Sequence, residues 1–437
     1  MYTVIQSSKL NKVIYSWCPD MEASALEQAK LLVEQSFVFR HMAVMADAHF
    51  GTVMLIGGVL ATKNVILPFC VGNDGGCGMY AIKTSLKISD FREGQKEELY
   101  HSIARSIPVG FHHNDINRQK EIQQKYSEKI DYILEKNKKI SQTSVQIFQN
   151  LSQTIYEQVG TLGGGNHFVE IQYDQDNNIW VMIHSGSRNI GEKICKTFNG
   201  IAIDLNKKYY SGVPESIPFL PTSTKEAKEY LVYMNFALDF AFLNRQIMMG
   251  YVKKDIEHSF KHMNIEFDKP INIHHNYASL ENHFGENVWV HRKGATLATE
   301  KTIGIIPGSC GKNSASYIVK GKGNPYSYMS CSHGAGRAFG RKDFNRKNNT
   351  PEKIKEIEVS LEGITCGKFK KEHSFKKHKE TGLLDVAEAE SAYKNVYEVM
   401  KNQEDLVEII TITGFLSRNL FWIVLFRVQT HEASHGP

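Results

Sequence analysis

A chain of 437 residues with 41% hydrophobic content can bury a large core, which excludes a disordered or fibrous protein. Its 52 basic and 47 acidic residues leave a formal charge of +5, a balance that permits a polyanionic partner without demanding one. Seven cysteines, an odd number with no signal-peptide pattern ahead of them, point away from a disulfide framework and toward a reducing, cytoplasmic setting. The longest apolar run, Leu420 to Phe426, falls far short of the about 20 residues that a membrane span needs.

In chain order, Met21 to Phe37 predicts a helix, because Ala25, Leu26, Ala29, Leu32 and Val33 recur at helical spacing. His41 to Lys83 is dense in Val, Ile, Gly and Ala and predicts short buried strands joined by loops. Ser89 to Gln158 turns to Lys, Glu, Gln and Ile, with a charge-rich stretch from Asn117 to Lys139, and predicts a solvated helical insertion. Apolar segments at Ile179 to Ile183, Ile271 to His275, Val288 to Arg292 and Thr302 to Ile306 predict strands, each ending at a polar or glycine-rich motif, as if around one cleft. Thr224 to Ile256 predicts a long amphipathic helix with Ala227, Leu231, Met234, Leu238 and Ala241 on one face. Arg341 to Lys379 is basic and aperiodic apart from a strand-like stretch near Ile357 to Leu361, which suits a lid or an RNA-facing loop. With no internal repeat and no Pro- or Ser-rich linker, one large α/β domain is the simplest architecture.

The chemistry gathers in short motifs. Gly72-Asn73-Asp74-Gly75-Gly76-Cys77-Gly78 presents a carboxylate and a thiol three residues apart in backbone free enough to bring both to one ion, although a tight turn around a buried thiol would read the same. The run Gly163-Gly164-Gly165-Asn166-His167 delivers an imidazole close to Glu170, and glycine backbone can approach a phosphate. His184 ends an apolar strand and is followed by Arg188, a residue suited to phosphate. Strand alternation puts His274 and His275 on opposite faces, so one of them points into a given site. One carboxylate, one thiolate and three imidazoles suit manganese, zinc or iron rather than magnesium or calcium. In Ser330-Cys331-Ser332-His333-Gly334-Ala335-Gly336-Arg337, small residues leave His333 open to a bulky reactant, and an arginine stands four residues on to steady a phosphate.

These motifs, with His291-Arg292-Lys293-Gly294-Ala295-Thr296 and Pro307-Gly308-Ser309, occur in the order found in the RtcB family, and from about His41 to Met400 the chain resembles those GTP-dependent RNA ligases. The resemblance implies a single α/β (α+β) domain whose sheets and surrounding helices enclose a metal-lined cleft, and an enzyme that joins RNA 3′-phosphate or 2′,3′-cyclic phosphate ends to 5′-hydroxyl ends in RNA repair or tRNA splicing. It implies two manganese ions on Asp74, Cys77, His167, His184 and His275, with Cys77 bridging, and zinc or iron as substitutes. It implies His333 as the residue that GTP guanylylates. For the nucleotide it implies Asn166, Glu170, His275, Asn276, Pro307, Gly308, Ser309 and Ser316, together with Gly334, Ala335, Gly336, Arg337 and Tyr393. For RNA phosphates it implies Arg188, Arg292 and Lys293, and as a partner an archease-like activating protein. The chain departs from the family at 414–437, where no lysine matches the family's terminal, base-contacting one. The alternatives are a metal-dependent phosphoesterase that opens cyclic phosphates, and an RNA-binding paralogue whose altered tail marks lost ligase activity.

Overall fold

The computed structural model describes residues 2–7, 12–367, 371–373, 380–414 and 422–425. Two six-stranded sheets organise them. The first runs Thr3–Gln6, Val13–Ser16, Val38–His49, Ile56–Thr62, Glu286–Lys293, Asn276–His283 in spatial order. Its one parallel pair, Val13–Ser16 with Val38–His49, is joined through the helix Ala23–Val33, the crossover that parallel neighbours require. The second runs Ile271–His274, Gly78–Lys87, Asn178–Ser185, Phe168–Tyr173, Trp422–Leu425, Ile364–Cys366. The chain leaves the second sheet at His274 and enters the first at Asn276, so His275 is the single residue between the two.

The second sheet is covered by the 35-residue helix Lys225–Ser259, which starts where the Thr224 hydroxyl accepts from the Ala227 amide at 3.2 Å. Phe236, Phe240, Leu243 and Ile247 of that helix pack with Ile82, Ile171, Val181 and Ile183 of the sheet in one core. Within 89–158 lie the helices Gln95–Ser106, Ile116–Lys136 and Leu151–Gln158, whose Leu99, Ile103, Ile122, Ile130 and Ile155 join that same core. No helix among the described residues is long and apolar enough to cross a membrane.

The stretch Ile357 to Leu361 is not strand-like. It ends the helix Pro351–Ser360 and the turn after it, and Ile357 is buried. Thr350 caps that helix and Pro351 opens it, and these start signals outweigh the β preference of Ile357 and Val359. A second helix, Arg341–Lys347, precedes it, so the basic segment is ordered as helices up to Ser360. Of the divergent tail only Gly414 and the backbone of Trp422–Leu425 are described, the latter paired with Phe168–Tyr173; the rest of the tail, where the missing lysine was expected, lies outside the described residues.

Two adjacent residues in the middle of the long helix, Asn244 and Arg245, both fully buried, tie the motif-bearing loops to it. Asn244 Oδ1 accepts from the amides of Gly160 (2.7 Å) and Thr161 (3.2 Å), and its Nδ2 donates to the carbonyls of Thr161 (3.1 Å) and Gly186 (3.1 Å). Arg245 Nη1 donates to the carbonyls of Gly76 (3.0 Å) and Ser185 (2.8 Å), and its Nε to Asn272 Oδ1 (2.8 Å). Removing the Asn244 amide strands several buried backbone groups at once. Asn244→Ala is therefore expected to destabilise the fold by about 3 kcal/mol, read as a lower urea midpoint, whereas Asn235→Ala, exposed on the same helix, leaves the midpoint within about 0.5 kcal/mol.

Candidate metal centre and nucleophile cleft

Three neighbouring strands of the second sheet deliver their ends to one place. Cys77 precedes Gly78–Lys87, His184 sits opposite Met79 near the end of Asn178–Ser185, and His167 precedes Phe168–Tyr173. The His275 amide donates to the Cys77 carbonyl at 2.8 Å and brings the fourth element in. Glycines allow the closeness. Gly76 has φ +80°, and a Cβ there would stand 2.9 Å from Ala241 Cβ on the long helix; a Cβ at Gly186 would stand 2.1 Å from Asp74 Oδ1.

Among the described residues two groups of three could hold a metal ion: Asp74, Cys77 and His167, and Cys77, His184 and His275. Cys77 belongs to both. His167 Nδ1 lies 2.9 Å from the Leu162 carbonyl and His184 Nδ1 lies 3.0 Å from the Asn166 carbonyl, so both rings donate there and turn Nε2 lone pairs inward. His167 Nε2 is 2.8 Å from Asp74 Oδ2 and 3.4 Å from Cys77 Sγ, while His184 Nε2 is 3.2 Å from Cys77 Sγ and 3.3 Å from His275 Nε2. A cation standing among these atoms would be within reach of all of their lone pairs. Burial first, then Asp74, pushes the Cys77 thiol well above its ordinary value, and a thiolate there calls for a cation. Burial, then His333 and His184, holds His275 as neutral imidazole, the ligand form. Burial works to raise the Asp74 carboxyl, but His167, Cys77 and Arg188 outweigh it and keep that group below its ordinary value. The donor set thus fits divalent transition-metal ions.

His333 lies against this cluster, its ring centroid 4.8 Å from that of His275. The strand Ser330–Ser332 places it beside Asp47, which is wholly buried in Val38–His49. His333 Nδ1 donates to Asp47 Oδ2 at 2.6 Å, and the amides of His333 (3.1 Å) and Gly334 (3.2 Å) donate to the same oxygen. Burial alone would raise the Asp47 carboxyl, yet His333 holds it below its ordinary value. With Nδ1 committed, Nε2 carries the ring's lone pair. A cavity of about 130 Å³ adjoins the ring, bounded by His49, Asn166, His184, Pro307 and Arg337 among others.

The sequence model of a family described as tRNA-splicing ligase RtcB matches residues 28–414. The chain belongs to the RtcB family. It is 35% identical over 400 residues to the RNA-splicing ligase RtcB of Escherichia coli, covering 89% of this chain and 92% of that one. To the tRNA-splicing ligase RtcB of Methanococcus maripaludis it is 30% identical over 357 residues, covering 69% and 74%. The RtcB proteins are RNA ligases, so this family member is an enzyme, and the His, Cys and Asp cluster gives its metal dependence a place.

The other residues expected from the RtcB resemblance divide into two sets. Pro307, Gly308 and Gly334 to Arg337 line the His333 cavity with Tyr393, while Ser309 and Tyr393 also line an adjoining cavity of about 460 Å³. Arg337 Nη1 reaches Glu388 Oε2 at 3.2 Å, Arg341 Nε reaches Glu388 Oε1 at 2.7 Å, the Tyr393 hydroxyl donates to Glu388, and the Arg337 guanidinium lies 4.9 Å over the Tyr393 ring. Braces make up the second set. Ser316 accepts from the Gly308 amide (3.1 Å) and Gln172 Nε2 (3.2 Å), and Gln172 Nε2 also donates to buried Glu170 (2.6 Å). Asn276 donates to the Asp74 carbonyl (3.0 Å) and accepts from the Gly294 amide (2.7 Å). Arg188 donates to Thr161 Oγ1 (2.9 Å) and the Gly110 carbonyl (2.6 Å), against the glycine run.

Arg292 and Lys293 do not reach the cleft. Arg292 is wholly buried against Glu281, Ser330 Oγ and the Tyr328 carbonyl, and Lys293 donates to the carbonyls of Thr52 and Met54, so their cations brace the first sheet instead of facing RNA. Sequence reasoning missed Asp47, Ser314, Arg341 and Glu388. An acid in the otherwise apolar Ala43-Val44-Met45-Ala46-Asp47-Ala48 was the signal available for the first; Ser314, whose Oγ accepts from the Ser309 amide at 2.8 Å, carried none. Because Cys77 serves both groups, Cys77→Ala is expected to weaken binding of all the divalent metal by more than about 100-fold, whereas His167→Ala or His275→Ala weakens one group's share. Metal content after equilibrium dialysis distinguishes the two patterns.

Proposed function

We propose that this RNA ligase joins RNA ends bearing a 3′-phosphate or 2′,3′-cyclic phosphate to ends bearing a 5′-hydroxyl, through a guanylate that GTP donates to His333. The observation that carries the reading is the Asp47 carboxylate fixed on His333 Nδ1 at 2.6 Å, which leaves Nε2 facing the cavity beside the metal-ligand cluster. Asp74, Cys77 and His167 would hold one manganese ion and Cys77, His184 and His275 another, with zinc or iron able to take the same donors. Ions bound there neutralise phosphate charge and favour both the attacking and the leaving oxygens.

In the scheme, a cyclic phosphate end is first opened to a 3′-phosphate. His333 Nε2 then attacks the α-phosphate of GTP, a nitrogen–phosphorus bond forms and pyrophosphate leaves. Asp47 holds the ring in the reactive tautomer throughout and stabilises the positive charge that develops on it. The guanylate passes to the RNA 3′-phosphate, and the 5′-hydroxyl displaces GMP. Arg337, Asn166, Ser309 and Tyr393 serve the nucleotide, with Glu170 and Ser316 supporting that pocket, and Arg188 serves an RNA phosphate. An archease-like protein would assist turnover, and seven cysteines with no disulfide among them suit a cytoplasmic setting. A phosphoesterase that only opens cyclic phosphates has no use for a buried carboxylate spent on orienting His333, which favours the ligase.

Incubation with labelled GTP and manganese is expected to yield an acid-labile protein-bound guanylate, absent from His333→Ala. Label persisting on that variant would sink the reading. Asp47→Asn, which loses the charge and the tautomer control, is expected to slow guanylylation by about 10²- to 10⁴-fold, followed as label incorporated per unit time.

A further inference from the structure

One imidazole in the wall of the His333 cavity has no part in the scheme above. His49 closes the strand Val38–His49 two residues beyond Asp47. Its Nδ1 stands 3.1 Å from the Asp47 carbonyl oxygen, so Nδ1–H donates there and Nε2 keeps its lone pair. Among the described residues Nε2 makes no hydrogen bond, and the ring shares the cavity with Asn166, His184, His333, Arg337 and Tyr393. The acids nearby are already engaged. Asp47 is spent on His333 and Glu388 on Arg337 and Arg341.

Joining needs a proton acceptor in this space, because the RNA 5′-hydroxyl must lose its proton as it attacks the activated phosphorus. We propose that His49 is the general base of the joining step, taking the proton of the RNA 5′-hydroxyl at Nε2. The assignment rests on the ligase reading. In the step the hydroxyl O–H bond breaks and an oxygen–phosphorus bond forms. The bond from phosphorus to the guanylate oxygen breaks with its electron pair, GMP leaves, and the proton passes from Nε2 to water. Burial first, with His333 and Arg337 against Asp47, sets the ring's pKa at about 4 in the protein alone, so the imidazole is neutral and ready to accept. RNA phosphates and the guanylate add negative charge beside it, and that charge raises its basicity when substrate is bound.

The test is single-turnover joining, by the manganese-loaded protein, of an RNA supplied with its 3′ end already guanylylated, which bypasses His333. His49→Ala is expected to join about 10²- to 10⁴-fold more slowly than wild type, with added imidazole restoring part of the rate. His49→Gln keeps a donor for the Asp47 carbonyl but no basic nitrogen, and is expected to be as slow, which separates proton transfer from packing. Either variant joining at the wild-type rate overturns the assignment. So does an equal loss of joining and of His333 guanylylation with no response to imidazole. Wild-type protein unable to join the activated ends overturns the ligase reading along with it.

Discussion

Everything chemical in this molecule hangs on a polar knot inside an apolar helix packing. Asn244 and Arg245 sit mid-way along the long helix and bond to backbone at Gly76 beside Cys77, at Gly160 and Thr161 ahead of the glycine run, and at Ser185 and Gly186 after His184. Loops so rich in glycine lose much conformational entropy on ordering, and side chains of their own cannot hold them. A fully buried guanidinium is costly unless each donor meets an acceptor, and here backbone carbonyls and Asn272 receive it. The apolar core fixes the helix, the helix fixes the knot, and the knot fixes the ligands. A network of this kind is strong only when complete, which is why its members are buried together.

Burial also sorts the charged residues by task. Glu281 and Arg292 satisfy each other inside the first sheet and contribute shape, not reactivity. Asp47 spends its charge on fixing one tautomer of His333. Glu388 gathers Arg337, Arg341 and Tyr393 at the rim of the cavity beside His333 and holds two cations in place there. Three carboxylates, Asp47 and Glu388 buried and Glu281 half-buried, each with a cationic or imidazole partner, thus do three different jobs.

Much of this was legible in the sequence. The five residues of the two candidate metal groups and His333 stand beside glycines or at ends of apolar runs, and His274 and His275 part as alternation predicts: His275 faces the cluster while His274 lies against the Gly76 carbonyl. What stayed hidden is non-local. Nothing in the spacing near Asp47 or Glu388 says which residue each will meet, and the knot at Asn244 and Arg245 lies in what reads as ordinary helix. Arg292 and Lys293 misled for the same reason, since a basic pair after an apolar strand looks identical whether its charges end in solvent or against carbonyls. The Ile357 stretch failed differently, because two β-branched residues were weighed without the Thr-Pro start that precedes them.

The bond between Asp47 and His333 spans 286 residues of chain. During synthesis the carboxylate therefore emerges long before the imidazole it must orient, and its strand waits with a buried acid still lacking its partner. Contacts so distant along the chain form late and slowly in folding. Both Val38–His49 and Ser330–Ser332 must therefore be in place before the His333 ring is oriented.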